Sequence, residues 1–165
     1  MFTIRKATTA DCALIQKLAQ QIFPVTYKDI LTPEQTDYMM EWMYSLDNIR
    51  KQMEEEGHVY FLAYEECEAA GYVSVQQQGE DLFHLQKIYV TPYYQGAHCG
   101  SFLCREAIKY IKEVHPGPCL MELNVNRTNK ALQFYEHMGM RKLREGDFPI
   151  GNGYYMNDYI MGLEI

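Results

Sequence analysis

From residue 58 onward the apolar residues change from helical spacing to alternation, in three successive runs: HVYFLAYEE, AAGYVSVQQQ and DLFHLQKIYV. Alternation turns one face of each run inward, and Gly, Glu or Asp bound every run, so the stretch predicts an antiparallel meander of three strands. The last run stops at Thr91-Pro92, and a short stretch of small residues leads from it into a helical pattern over about residues 100–114. In that helix Leu103, Ala107, Tyr110, Ile111 and Val114 are expected inward, with Arg105, Glu106, Lys109, Lys112 and Glu113 outward.

The flanks complete the order. Phe2, Ile4 and Ala7 set a short strand, and Thr8 or Thr9 caps a helix carrying Ala13, Leu14, Leu18 and Ile22 that Pro24 is expected to close. Thr32 as cap and Pro33 in the first turn open a longer helix to about Glu56, with Tyr38, Trp42, Leu46 and Ile49 on one side. After the Pro116-Gly117-Pro118 break come the strand CLMELNV, a helix from Thr128 to His137 ending at Gly139, and two closing strands in MRKLREGDF and NGYYMNDYIMGLEI. The expected order is β-α-α-β-β-β-α-β-α-β-β, an α/β fold on a mixed sheet. At 165 residues and 47% hydrophobic, the chain fits one core, and residues 1–165 are read as a single domain.

Charge narrows the partners. Lys and Arg number 15 against 22 Asp and Glu, a net charge of -7, which argues against nucleic acid and favours a cationic or neutral substrate. Cysteines 12, 67, 99, 104 and 119 are odd in number and lack CxxC spacing, as expected of free thiols in a reducing compartment, and no metal site is implied. No signal-peptide pattern opens the sequence and no eighteen apolar residues run together, so the expectation is a cytoplasmic protein without a membrane partner. Fourteen tyrosines are enough that some should line a wet pocket.

The small residues Gln95-Gly96-Ala97-His98-Cys99-Gly100-Ser101 stand where a helix begins. Free backbone N–H groups and the positive end of the helix dipole make such a turn an anion cradle, with phosphate as its natural guest. An ordinary strand-to-helix connection is the competing reading. A dinucleotide fingerprint does not fit, because the supporting strand closes a meander instead of belonging to a βαβ unit, and Glu122 lies mid-strand.

With its surroundings the turn resembles the coenzyme-binding motif of the GNAT superfamily of N-acetyltransferases, Gln or Arg-x-x-Gly-x-Gly or Ala at a helix start. Here His98 occupies the central glycine position. LNVNRTNKALQFYEHMGM, residues 123–140, is similar to a second motif of that superfamily, through Asn129, Ala131, Phe134-Tyr135 and Gly139. IRKATTADCALI resembles the superfamily's opening, and FPVTYKDILTPEQTDYM, AAGYVSV and YYMNDYIMGLEI look most like bacterial spermine/spermidine N-acetyltransferases.

The resemblance implies acetyl-CoA as donor, a small primary amine such as a polyamine as acceptor, and direct attack of the amine on the thioester. It also implies that two parallel strands, LQKIYV and LMELNV, splay apart, with a bulge in the first, and that homodimers form through sheet edges in many members. The diphosphate would meet the amides of residues 96–101. His98 would either avoid the left-handed region or accept about 1 kcal/mol of strain, its ring facing phosphate or solvent. Cys99 would be an activated thiol or a passive filler. Backbone N–H groups of Ile88, Tyr89 and Val90 would polarise the carbonyl, and Asn124 or Asn129 would bind pantetheine or phosphate, unless Asn129 simply caps its helix.

Tyr135 would act as general acid toward the departing thiolate, although Ala131, Phe134, Tyr135 and Met138 also read as a plain core stripe. For the base, Gln86 stands where relatives carry Glu, so Glu122 on the facing strand, Asp158, or water held among tyrosines would substitute. Tyr27, Asp29, Tyr38 and Trp42, with Asp158, would form the acceptor pocket, or else Tyr38 and Trp42 belong to a packed helix pair. Acetylation of a protein N-terminus or lysine, and a non-catalytic acyl-CoA-binding module, are the competing functions.

Overall fold

The computed structural model describes residues 1–165. One seven-stranded sheet runs β1 (Phe2–Lys6), β2 (His58–Glu65), β3 (Glu68–Gly79), β4 (Leu82–Val90), β5 (Leu120–Asn126), β7 (Tyr154–Glu164), β6 (Arg141–Gly151) across its width. Every neighbouring pair is antiparallel except β4 and β5. That pair is joined by α4 (Cys99–Val114), the crossover connection a parallel pair requires. It is in register only over Leu82–His84 and Leu120–Glu122, so the strands part beyond that point. The expected splay is present, and the expected bulge lies beside it: Ser74 pairs with Lys87 and Val75 with Leu85, leaving Gln86 as the extra residue.

Two cores result, one on each face. On one face α4 and α5 (Ala131–His137) cover Val73, Phe83, Leu85, Met121 and Leu123, with Leu103, Ala107 and Ile111 of α4 buried among them. On the other, α1 (Cys12–Thr26), α2 (Pro33–Tyr44) and α3 (Leu46–Glu54) cover Tyr60, Leu62 and Tyr72.

The meander and the helix after the glycine-rich turn stand where the sequence places them. The single helix expected from Pro33 to about Glu56 does not. Ser45 adopts an extended conformation (φ -62°, ψ 149°) and accepts a hydrogen bond from the Asn48 N–H, ending α2 and capping α3. There are thus three helices, not two, between β1 and β2. The break rotates the buried face: Met39, Tyr44 and Ile49 are buried, while Trp42 and Leu46 are exposed. Pro24 does not close α1 either. Its ring suits helical φ and it costs one hydrogen bond near the end, so the helix continues to Thr26 and the Tyr27 N–H still reaches the Phe23 carbonyl. The inward stripe of α1 includes Ile15 and Ala19, with Ala13 exposed, and Val114 of α4 is exposed at the last turn.

Candidate active site

The parting of β4 and β5 leaves strand edge without a strand partner. The Thr91 N–H donates to Ala70 on the β3 side, and successive amides alternate in direction, so those of Val90 and Ile88 point into the gap. Of the three amides expected to serve the carbonyl, Tyr89's is therefore committed to β3.

Where the gap opens, α4 begins. Gly96 (φ 84°) and His98 (φ 66°) both lie in the left-handed region, and a Cβ on Gly96 would meet nothing within 4 Å. His98 thus takes the strained alternative, at about 1 kcal/mol. Cys99, Gly100 and Ser101 belong to the first helical turn, whose amides have no intrahelical acceptor, and no side chain caps them. The amides of Gly96 and His98 likewise find no acceptor within the protein. Together these make a cradle of free N–H groups at a sixteen-residue helix. Cys99 is buried and its thiol is pushed up to about 11 by desolvation, so it is packing and not a nucleophile.

Two cavities meet at this point. One, about 370 Å³, is lined by Gln95, Gly96, His98, Cys99, Gly100 and Ser101 with Phe134. The other, about 480 Å³, is lined by Tyr27, Asp29, Asn124, Thr128, Asn129 and Tyr89. Ile88, Val90, Gln95, Ala131 and Tyr135 line both. Tyr135 is 8% exposed, and burial raises its pKa far above that of a free phenol, so the hydroxyl stays protonated. Its helical stripe is core and cavity wall at once. Ala97 is in the turn but lines neither cavity.

The remaining expected residues divide. Tyr27 is buried and its hydroxyl is 2.8 Å from that of Tyr89, while burial pushes its pKa up to about 12. Asn129 Oδ1 accepts from the Ala131 N–H at 2.9 Å, so it caps the turn into α5 while lining the cavity. Asn124 donates at 3.2 Å to Asp158 Oδ2. Asp158, expected in the acceptor pocket, lines neither cavity: it is 3% exposed behind Asn124, its Oδ1 has no hydrogen-bond partner, and burial raises its pKa against the opposing pull of Asn124. Glu122 does not join the group: both its oxygens accept from Arg144 (3.0 and 3.2 Å), and it lines neither cavity. Tyr38 and Trp42 are also elsewhere. Tyr38 donates to the Ile150 carbonyl at 2.7 Å and fastens α2 to the β6–β7 hairpin, while Trp42 borders a separate hollow. Neither lines the cavity of Tyr27 and Asp29.

Residues 27–154 match the family model for the acetyltransferase (GNAT) domain. The chain belongs to the GNAT family. As a GNAT acetyltransferase it uses acetyl-CoA, and the free amides of the α4 turn together with the open edge of β4 fit the diphosphate and pantetheine of that coenzyme. Solved structures of similar fold include a PaiA N-acetyltransferase from Thermoplasma acidophilum in complex with coenzyme A, with a TM-score of 0.83 and 20% identity over 100% of this chain and 99% of that one. A ribosomal-protein-alanine N-acetyltransferase from Escherichia coli gives 0.73 at 21% identity over 100% and 94%. Mutant forms of the spermidine/spermine N-acetyltransferase SpeG from Vibrio cholerae give 0.69 at 20% over 99% and 95%. At such identities the likeness is one of fold. No helix of this GNAT protein is long and apolar enough to cross a membrane.

Proposed function

We propose that the protein transfers the acetyl group of acetyl-CoA to a primary amine of a small molecule by direct attack on the thioester. The observation that carries this reading is the meeting of the two cavities at Tyr135 and the free edge of β4. A coenzyme whose diphosphate lies on the 96–101 amides then has its sulfur end beside the phenol. The cavity beyond has walls of α1, β4 and β5 and a volume of about 480 Å³, which favours a small acceptor over a protein segment.

The chain's own groups would divide the work. Amides of Ile88 and Val90 offer hydrogen bonds to the pantetheine arm and to the carbonyl oxygen as charge builds on it. The amine's N–C bond forms as the C–S bond breaks, and the Tyr135 hydroxyl supplies the proton that the departing thiolate takes up. The amine's own proton goes to Asp158, which lines neither cavity itself, by way of solvent beside Asn124, the cavity-wall residue that donates to it at 3.2 Å. A carboxyl group held in the raised range by burial is suited to that task, whereas Glu122 is engaged by Arg144. Tyr27 and Asp29 stand on the acceptor side.

The test is thiol release from acetyl-CoA over a panel of amines that includes polyamines, amino acids and an N-terminal peptide. Wild-type protein should turn over a small amine, and Tyr135→Phe should lower kcat by about 10²-fold or more while leaving coenzyme A affinity within about twofold. Unchanged turnover in Tyr135→Phe would return the ring to the core. Tight coenzyme binding with no amine-dependent turnover would make the protein a binding module.

A further inference from the structure

On the α1–α3 face of the sheet lies a third cavity, of about 490 Å³, that does not share Tyr135. Trp42, Gln52, Glu56, His58, Gln86 and Lys87 are among its walls. Lys87 is the anomaly there. It is 4% exposed, its ammonium donates to Gln52 Oε1 at 2.7 Å and to the Tyr60 hydroxyl, and it stands 4.9 Å and 5.0 Å from the ring centres of Tyr44 and Tyr60. An ammonium has three N–H donors; the third meets no oxygen. No carboxylate pairs with it either. Glu56, the acidic residue on the cavity wall, approaches His58 Nε2 at 3.9 Å instead. Desolvation pulls the Lys87 pKa down to about 7, with Glu56 opposing.

A buried cation without a counter-charge is expensive, and replacing such a group by an apolar one commonly stabilises a fold. A ligand with a carboxylate would bring the missing charge. The cavity has two cations, Lys51 and Lys87, against one carboxylate, Glu56, in a chain whose net charge is -7. It shares no wall residue with the acceptor cavity, from which Tyr89 and the buried Tyr44 and Tyr72 separate it. Lys87 and Tyr89 point to the same face of β4, two residues or about 7 Å apart, and the Tyr89 hydroxyl meets Tyr27 at the acceptor cavity.

We propose that this cavity holds the head group of an α-amino acid, its carboxylate on Lys87 and its α-ammonium toward Glu56. This head-group site does not rest on the acetyl-transfer reading. A bare polyamine lacks the carboxylate and leaves Lys87 uncompensated.

The experiment is titration calorimetry of L-ornithine against putrescine, and of L-lysine against cadaverine, into the protein with and without saturating coenzyme A. Each pair differs in the carboxylate. The amino acids should bind at least about tenfold more tightly than the diamines, and Lys87→Met should bring each pair to parity. A wild-type measurement guards against misfolding of the variant. Facing Lys87 are Tyr44 from α2, Lys51, Gln52 and Glu56 in and beyond α3, His58 and Tyr60 from β2, and Gln76 from β3. His58 is held neutral by burial, at about 4, and burial keeps both tyrosines protonated. Lys87 is therefore the group that loses charge as pH rises from about 6 to about 8.5, and the preference for the amino acids should shrink across that interval. Diamines that bind as tightly as amino acids, a preference that does not change with pH, or one that survives in folded Lys87→Met would each overturn the proposal. Failure to bind coenzyme A would instead sink the acetyl-transfer reading and leave the head-group measurement standing.

Discussion

Asp158 opposes stability and, in the mechanism proposed above, serves chemistry. Its carboxyl is buried on β7 with one oxygen unpartnered, and burial raises its pKa above the ordinary 3.8. A carboxyl whose folded pKa exceeds its unfolded value binds the extra proton in the folded state. It therefore favours folding at low pH and weakens it as pH rises past the unfolded value. At neutral pH the ionised group is a burden that Asp158→Asn removes. The expected result is a variant that melts at the same temperature or higher at pH 7, yet loses about tenfold or more in kcat together with the acid limb of its pH–rate profile. A variant that keeps wild-type activity and the same limb would show that the proton leaves by another route.

At the scale of elements, the turn before α4 is where chemistry was most legible. Alternation ending at Val90, a proline and seven small or polar residues before a helical stripe are a local pattern, and the backbone follows it. The bulge at Gln86 and the splay of β4 from β5 were readable through family resemblance and not from spacing, because strand divergence leaves no periodic trace in one strand. The α2–α3 break has one local signal, Ser45, a residue type that caps helix starts, standing inside a helical run. The placing of Tyr38 and Trp42 in the acceptor pocket came from family resemblance, and the structure sets Tyr38 against the β6–β7 hairpin and leaves Trp42 exposed. Lys87 reads in sequence as an ordinary strand lysine, since its burial depends on Gln52, Tyr44 and Tyr60 from three other elements. For the α4 turn the structure makes a clear prediction. His98→Gly relieves a left-handed residue and should raise stability by up to about 1 kcal/mol. If the imidazole also touches a phosphate, the same change weakens coenzyme A binding. Coenzyme affinity that is unchanged in His98→Gly would place the ring in solvent.

For the whole molecule, the seam between β4 and β5 is the consequential feature. On one side lie β1 to β4, on the other β5, β7 and β6, and three residue pairs of parallel ladder join the halves. Each of the two cores spreads over one face of the sheet, and α4 bridges the seam on its own face. Such a seam gains most from a ligand that pairs with its open edge. Coenzyme A at about 100 times its Kd should stabilise the fold by about 2.7 kcal/mol, visible as a rise in Tm. Hydrogen exchange should locate the effect: the amides of Ile88, Val90 and residues 96–101 slow on coenzyme binding, while those of β6 and of the β1–β2 pair change little, because no open edge separates them from their partners. Protection spread evenly over the chain would mean that the coenzyme tightens the molecule as a whole instead of closing the gap, and protection absent from Ile88 and Val90 would place the pantetheine arm outside it.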